Sequence, residues 1–155
     1  MATPHPVITK SALLAHWQGH RALTRRVIEA FPEKELFTFS IGGMRPFAEL
    51  AHEFLRLSAP GLRGVVTGDW SEKPERPATK AELLRLWDAT TAEIDALWSQ
   101  MPESRLQETV KAWGQWEGPG YTHILYWIDN EIHHRGQGYV YLRALGIAPP
   151  GFWER

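Results

Sequence analysis

Prolines cut this chain into a few long stretches, and within each stretch apolar residues recur every three or four positions. That spacing is one face of an α-helix, and no stretch shows the sustained two-residue alternation of a half-buried strand. A proline disfavours helix at the residue before it, so Pro32, Pro46, Pro60, Pro102 and the pair Pro149-Pro150 bracket the segments. The first helix is expected from about Ser11 to Phe31, with Ser11 as its cap and Leu13, Trp17, His20, Thr24, Val27 and Phe31 on one stripe. Residues 32–45 read as a loop, broken by Gly42-Gly43. The second helix begins at Pro46 and carries Phe47, Leu50, Phe54 and Leu57; Pro60-Gly61 kinks or ends it, and Leu62 to Val66 resume it briefly.

Asp69 to Ala78 holds Pro74 and Pro77 among charges and reads as a surface connection. Thr79-Lys80-Ala81-Glu82 is a capping box, hydroxyl first and carboxylate three residues on. The third helix follows, with Leu83, Trp87, Thr90, Ile94, Leu97 and Met101 on one stripe. Residues 103–121 hold a short helical turn at Glu103 to Leu106, an extended piece near Val110 and a Trp- and Gly-rich loop from Trp113 to Gly120. The last helix runs from Tyr121 or Thr122 to Leu145, with Gly146 as a left-handed cap. The fold class this predicts is all-α, a four-helix bundle forming one domain over residues 1–155.

Composition narrows the function. The net charge is −1, and the arginine groups at Arg21, Arg25 and Arg26 and at Arg135 and Arg143 are small enough to be solvated helix faces. A phosphate backbone would find little to bind, so no nucleic-acid partner is expected. There are no cysteines, which excludes disulfides, a thiol nucleophile and thiolate metal ligands, and suits a reducing cytoplasm. No segment approaches the ~18–20 apolar residues of a membrane span. Met1 to Pro6 lack a charged stretch followed by an apolar one, so no signal peptide is expected.

The chemistry concentrates in Asp129 to Gln137, a polar run in the middle of the last helix, flanked by Ile124, Trp127, Tyr141 and Leu142. Asn130 and His134 are four apart and share a face. His134 also falls on the stripe Trp127, Glu131, His134, Gly138, Tyr141, where an unpaired polar group would cost about 1–3 kcal/mol. His52 lies between Leu50 and Phe54, beside the inner stripe of the second helix. Histidines on facing helices are a common way for a bundle to hold a metal, and zinc and nickel both accept imidazole. The plainer reading is two histidines hydrogen-bonded in a core or cleft.

Gly42 to His52 resembles the second-helix segment of the DinB (damage-inducible B) family. Asn130-Glu131-Ile132-His133-His134-Arg135-Gly136-Gln137, followed by Tyr141-Leu142-Arg143, resembles that family's last-helix signature. The resemblance implies an up-down-down-up bundle, a homodimer, and a solvent-open divalent-metal site, zinc or nickel, with three histidine ligands. His52 would be the first ligand and His134 the third. The middle position falls on Asn130, where a histidine is expected, so the site would be weak or empty. His123 is about 16 Å along the axis from His134, too far to share an ion. His133 points about 100° away from His134, towards surface or interface. His20 remains a candidate ligand or supporting group.

Two Glu-x-x-His motifs, at Glu49–His52 and Glu131–His134, would be half of a di-iron carboxylate site if Glu29 and Glu93 completed it. In the remaining helix-four positions, Arg135 is expected to pair with Glu131 on the surface and Gly138 to sit where a neighbouring helix comes close. Tyr126 and Tyr141 read as core residues, with pocket lining as the alternative. Trp113, Trp116 and Trp153 suggest a dimer interface or pocket lid. The functions this leaves are a metal-dependent S-transferase acting on a small molecule such as a thiol, a non-enzymatic metal- or ligand-binding stress-associated bundle, and the di-iron protein.

Overall fold

The computed structural model describes residues 6–155; the segment used above to argue against a signal peptide lies largely outside them. Among the described residues six α-helices run in the order α1 (Lys10–Ala30), α2 (Glu33–Thr38), α3 (Phe47–Leu57), α4 (Ala59–Thr67), α5 (Lys80–Gln100) and α6 (Gly120–Ala144). A 3-10 turn (Glu103–Leu106) and a hairpin of β1 (Thr109–Ala112) and β2 (Trp116–Pro119) separate α5 from α6. The hairpin is antiparallel, from Thr109 opposite Pro119 to Ala112 opposite Trp116. It corrects the all-α expectation: the fold is mainly helical with one small two-stranded sheet. The Trp- and Gly-rich stretch read as a loop closes back because Trp113 and Gly114 both adopt positive φ, +48° and +70°, turning the chain between the strands. No helix among the described residues is long and apolar enough to cross a membrane.

Helix ends follow the caps, with small corrections. Thr9, not Ser11, caps α1: its hydroxyl accepts from the Ala12 amide at 3.1 Å. The loop expected over 32–45 contains α2, which starts after Pro32 and buries Leu36. The helix carrying His52 breaks at Ser58 and resumes as α4 with Pro60 in its first turn. Thr79 caps α5 by accepting from the Glu82 amide at 3.2 Å, and the Glu82 carboxylate accepts from Ala78. At the end of α6 the Ile147 amide donates to Leu142 and the Gly146 amide to Arg143, with Gly146 at φ +75°. Those two bonds are a Schellman cap.

The core has two apolar parts with a charged layer between them. One part gathers Leu13 and Trp17 of α1, Leu62, Ile94 and Trp98, and Ile124, Trp127 and Ile128 of α6. The other gathers Val27, Ile28 and Phe31 of α1 with Phe47, Phe54, Trp87, Tyr141 and Leu142. Along α1 and α6 the residues in between are His20, Arg21 and Thr24, and Glu131 and Arg135, all buried. Arg21 is 0% exposed, correcting its reading as a solvated group. Its guanidinium lies 4.0 Å over the Trp87 ring and donates to Thr91 Oγ1 at 2.8 Å and to the Trp87 carbonyl at 3.2 Å. Glu131 Oε2 is 3.8 Å from Arg21 Nη1, and Glu131 Oε1 accepts from Thr24 Oγ1 at 2.5 Å. Arg135, 5% exposed, is not on the surface paired to Glu131; it reaches across to α1, donating to the His20 carbonyl and to Thr24 Oγ1, each at 3.1 Å.

His20 sits between two guanidinium groups, Nδ1 3.0 Å from Arg135 and Nε2 3.0 Å from Arg155. Burial, then the charges of Arg135, His16 and Arg155, lower its pKa to about 4. The unfolded chain binds this proton near 6.5 and the folded chain only near 4. Between those values the unfolded state holds more protons, so stability falls as pH drops through the window. His134, lowered by burial, adds to the same slope. We expect the urea-unfolding free energy to decline from about pH 6.5 to about pH 4 and His20→Gln to flatten that decline. A second expectation concerns Gly138. A Cβ there would lie 2.5 Å from the Phe47 ring, which is itself stacked on Phe31 at 4.9 Å and has little freedom to retreat. Gly138→Ala should therefore cost about 1–3 kcal/mol in the same measurement.

Candidate functional site

α3 and α6 pack against each other, and a polar cluster sits at their exposed margin. Asn130 Nδ2 donates to Glu53 Oε1 at 3.0 Å, and His134 Nε2 lies 3.5 Å from the same oxygen. Arg45, in the turn before α3, holds the other carboxylate oxygen at 2.6 Å. Tyr141 fixes that turn by donating its hydroxyl to the Arg45 carbonyl at 2.9 Å. The His134 ring is stacked near Phe54, centroids 6.1 Å apart, and its Nδ1 lies 3.5 Å from Gln137 Oε1. Burial pushes the Glu53 carboxyl up, but the hydrogen bonds from Arg45 and Asn130 and the Arg45 charge outweigh it and leave the pKa below the ordinary range. Burial lowers the His134 pKa, only partly offset by Glu53. At neutral pH the cluster therefore holds a carboxylate and a neutral imidazole.

Of the three ligands implied by the resemblance, Asn130 and His134 come together and His52 does not join them. The α3 residue facing that pair is Glu53. Successive helical residues diverge by about 100°, so a one-residue difference in register selects a different wall. His52 turns to the segment before α5, its Nε2 3.5 Å from the Pro74 carbonyl. His20 belongs to the buried layer. His133 is exposed with its ring edge-on to His134 at 4.8 Å. His123 stacks on Trp127 at 6.3 Å.

This donor set does not fit a three-ligand divalent-metal site. One Glu53 oxygen is already held by a guanidinium, whose charge opposes a second cation, and the other accepts the Asn130 amide N–H. Among the described residues, no three His, Cys, Asp or Glu side chains converge as they would around an ion. The di-iron arrangement is dispersed as well. Glu49 pairs with Arg76, Glu29 with Arg25, Glu93 with Arg63, and Glu131 lies in the buried layer.

Beside the cluster lies a cleft of about 470 Å³, lined in part by Glu53 and Asn130. Its walls are Trp113 and Trp116 of the hairpin and His123, Tyr126 and Trp127 of α6, with Arg56 of α3 at its side. Trp113 contacts Trp70, Trp116 and Trp127 at centroid separations of 5.2, 6.3 and 6.0 Å, so the hairpin is held by aromatic packing. The Arg56 guanidinium lies 5.7 Å over the Trp113 ring. Trp113 and Trp116 thus line a pocket, as one of the two readings had it. Tyr126 is an exposed cleft wall, whereas Tyr141 is the core residue expected. One polar atom here lacks a partner: Asn130 Oδ1 is buried and accepts no hydrogen bond. Glu53, Arg45 and Arg56 escaped the sequence reading because a charged residue at the margin of a stripe looks like any solvated one. The available signal was phase, since Glu53 precedes Leu57 by one helical turn.

Comparison with known proteins agrees with this architecture. The chain is similar to a DinB-like protein from Bacillus subtilis, with TM-score 0.75 and 21% identity over 92% of this chain and 98% of that one. It is similar to a DinB-like protein from Bacillus cereus ATCC 10987, with TM-score 0.74 and 20% identity over 92% and 97%. None of the curated proteins matches it. The DinB family model matches residues 6–155, nearly the whole sequence, and the chain belongs to the DinB family.

Proposed function

We propose that this DinB-family protein binds a small organic molecule in the aromatic cleft without a metal ion. The observation that carries the reading is Asn130 Oδ1, a buried acceptor without a partner among the described residues, on a residue that lines a cleft walled by tryptophan and tyrosine. A buried polar atom left unpaired costs about 1–3 kcal/mol, which a ligand N–H or O–H would recover. Flat aromatic walls favour a flat apolar body by stacking. The ligand is thus a small molecule with a planar apolar part and a hydrogen-bond donor at its inner end.

A transferase acting on a thiol is the second reading, and the neutral His134 beside the Glu53 carboxylate favours it. An imidazole in that state accepts a proton, so this pair would take the place that a metal's Lewis acidity holds in the three-histidine arrangement. The up-down-down-up order of the bundle, a cytoplasmic setting and a stress or DNA-damage role belong to this wider proposal.

The test uses two probes of one shape. Benzamide has an amide N–H to offer Asn130 Oδ1 and methyl benzoate has none. In a tryptophan-fluorescence titration benzamide should bind about five- to tenfold more tightly, the worth of one hydrogen bond to a buried acceptor. Trp116→Ala should weaken both by about two- to tenfold through lost stacking. Equal binding of the two probes would remove the acceptor from the argument. Elemental analysis of untagged protein should find well under about one zinc or nickel per chain. Stoichiometric metal that disappears in His134→Ala would sink the metal-free reading.

A further inference from the structure

Glu53 and Arg56 both line the cleft, and only the carboxylate is answered from within the chain. Glu53 is held by Arg45 at 2.6 Å and by the Asn130 amide at 3.0 Å. Arg56 is exposed and forms no ion pair among the described residues. The arginines on either side of it in sequence, Arg45 and Arg63, each hold a glutamate, at 2.6 and 2.7 Å. Arg56 follows Glu53 by three positions, a spacing at which helical side chains can pair, yet Arg45 has taken that carboxylate. The side of the cleft is left with a positive charge.

That charge is held in place. The Arg56 guanidinium lies 5.7 Å over the Trp113 ring, within the range of a cation–π contact. Trp113 is in turn fixed by Trp70 at 5.2 Å and Trp127 at 6.0 Å. A guanidinium packed on an aromatic ring keeps N–H groups free at its edge, and their fork matches the two oxygens of a carboxylate. The last turn of α3 also suits a cation, but a helix end asks only for the charge, which lysine would supply as well. Spacing adds a length. Glu53 and Arg56 are about 4.5 Å apart along α3, and Asn130 lies against Glu53. The acceptor and the cation are therefore about one helical turn apart, roughly the span of one aromatic ring. We propose that the cleft selects an aromatic carboxylic acid, whose carboxylate meets the Arg56 fork while an N–H or O–H at its other end meets Asn130 Oδ1. The inference rests on the cleft reading given above and adds to it the charge of the ligand and the residue that reads that charge.

Two probes that differ only in charge test this in the full chain by isothermal titration calorimetry. 4-Carbamoylbenzoate and its methyl ester both offer the amide N–H to Asn130, and only the acid offers a carboxylate to Arg56. At about 0.05 M salt the acid should bind about three- to tenfold more tightly than the ester. The preference should shrink as salt is raised, because the pair is exposed. Arg56→Gln, with circular dichroism to show that it is folded, should bring the acid to within about twofold of the ester. The ester should stay within about threefold of its affinity for the parent chain, since it makes no ion pair to lose. Equal binding of acid and ester by the parent chain would overturn the inference and leave the cleft reading in place. A preference for the acid that survives in Arg56→Gln would put the cation elsewhere and overturn it too. Binding of neither probe would overturn the inference together with the reading beneath it.

Discussion

The buried charged layer constrains everything around it. Arg21 and Glu131 lie in the interior on facing helices, with Arg135 reaching from α6 to the α1 backbone. Such groups are tolerated only when paired and hydrogen-bonded, and removing one partner of a buried pair costs about 3–5 kcal/mol. The layer fixes the height of α6 against α1. A slip of one turn would separate Glu131 from Thr24 and Arg21 and leave three charges in apolar surroundings. The apolar parts on either side do not provide this: leucine, tryptophan and phenylalanine packing tolerates repacking if volume is kept. Register therefore comes from the polar layer, while most of the stabilising burial comes from the two parts it separates.

That register determines what the site can be. Glu131 and Arg135 point inward to α1, so Asn130 and His134 point to the margin between α6 and α3. Arg45, anchored through Tyr141 in the core, then sets the charge of that margin. His52 does not bring a second imidazole to it, because its Nε2 turns to the Pro74 carbonyl. Two departures from a three-histidine site, Asn130 and the Glu53–Arg45 pair, act together. A carboxylate near a weakened metal would be a liability or a replacement ligand, and the guanidinium satisfies it as an ion pair.

Much of the fold was legible because helix ends are local chemistry. Pro32, Pro102 and Gly146 act through their own backbones and Thr79 through its hydroxyl on a neighbouring amide, so their effect needs no knowledge of the rest of the chain. The stripes on α1 and α6 were legible for the same reason, but Arg21 and Arg135 were left off them because their charges argued for solvent, although each follows a stripe residue, Trp17 or Glu131, by four positions. Phase was the better guide than residue type at both positions. What stayed hidden was long-range. The hairpin depends on Trp113 meeting Trp70, 43 positions before it, and Trp127, 14 positions after it. The Glu53-for-His52 exchange depends on which wall of α3 faces α6, and an error of one residue there changes a metal ligand into a contact with a loop carbonyl.

Gly136 and Gly138 show how far a single helix can be read once its phase is known. Two residues apart, they point about 200° from each other, one outward and one into the core. Both carry the same entropic cost, so each needs its own reason. The inner one is answered within the chain by Phe47. The outer one has no such answer, since a Cβ there would meet nothing within 4 Å. The two faces of α6 therefore differ in what constrains them: the inner face is held to one register by Phe47 and the buried charged layer, and the outer face is exposed around Gly136.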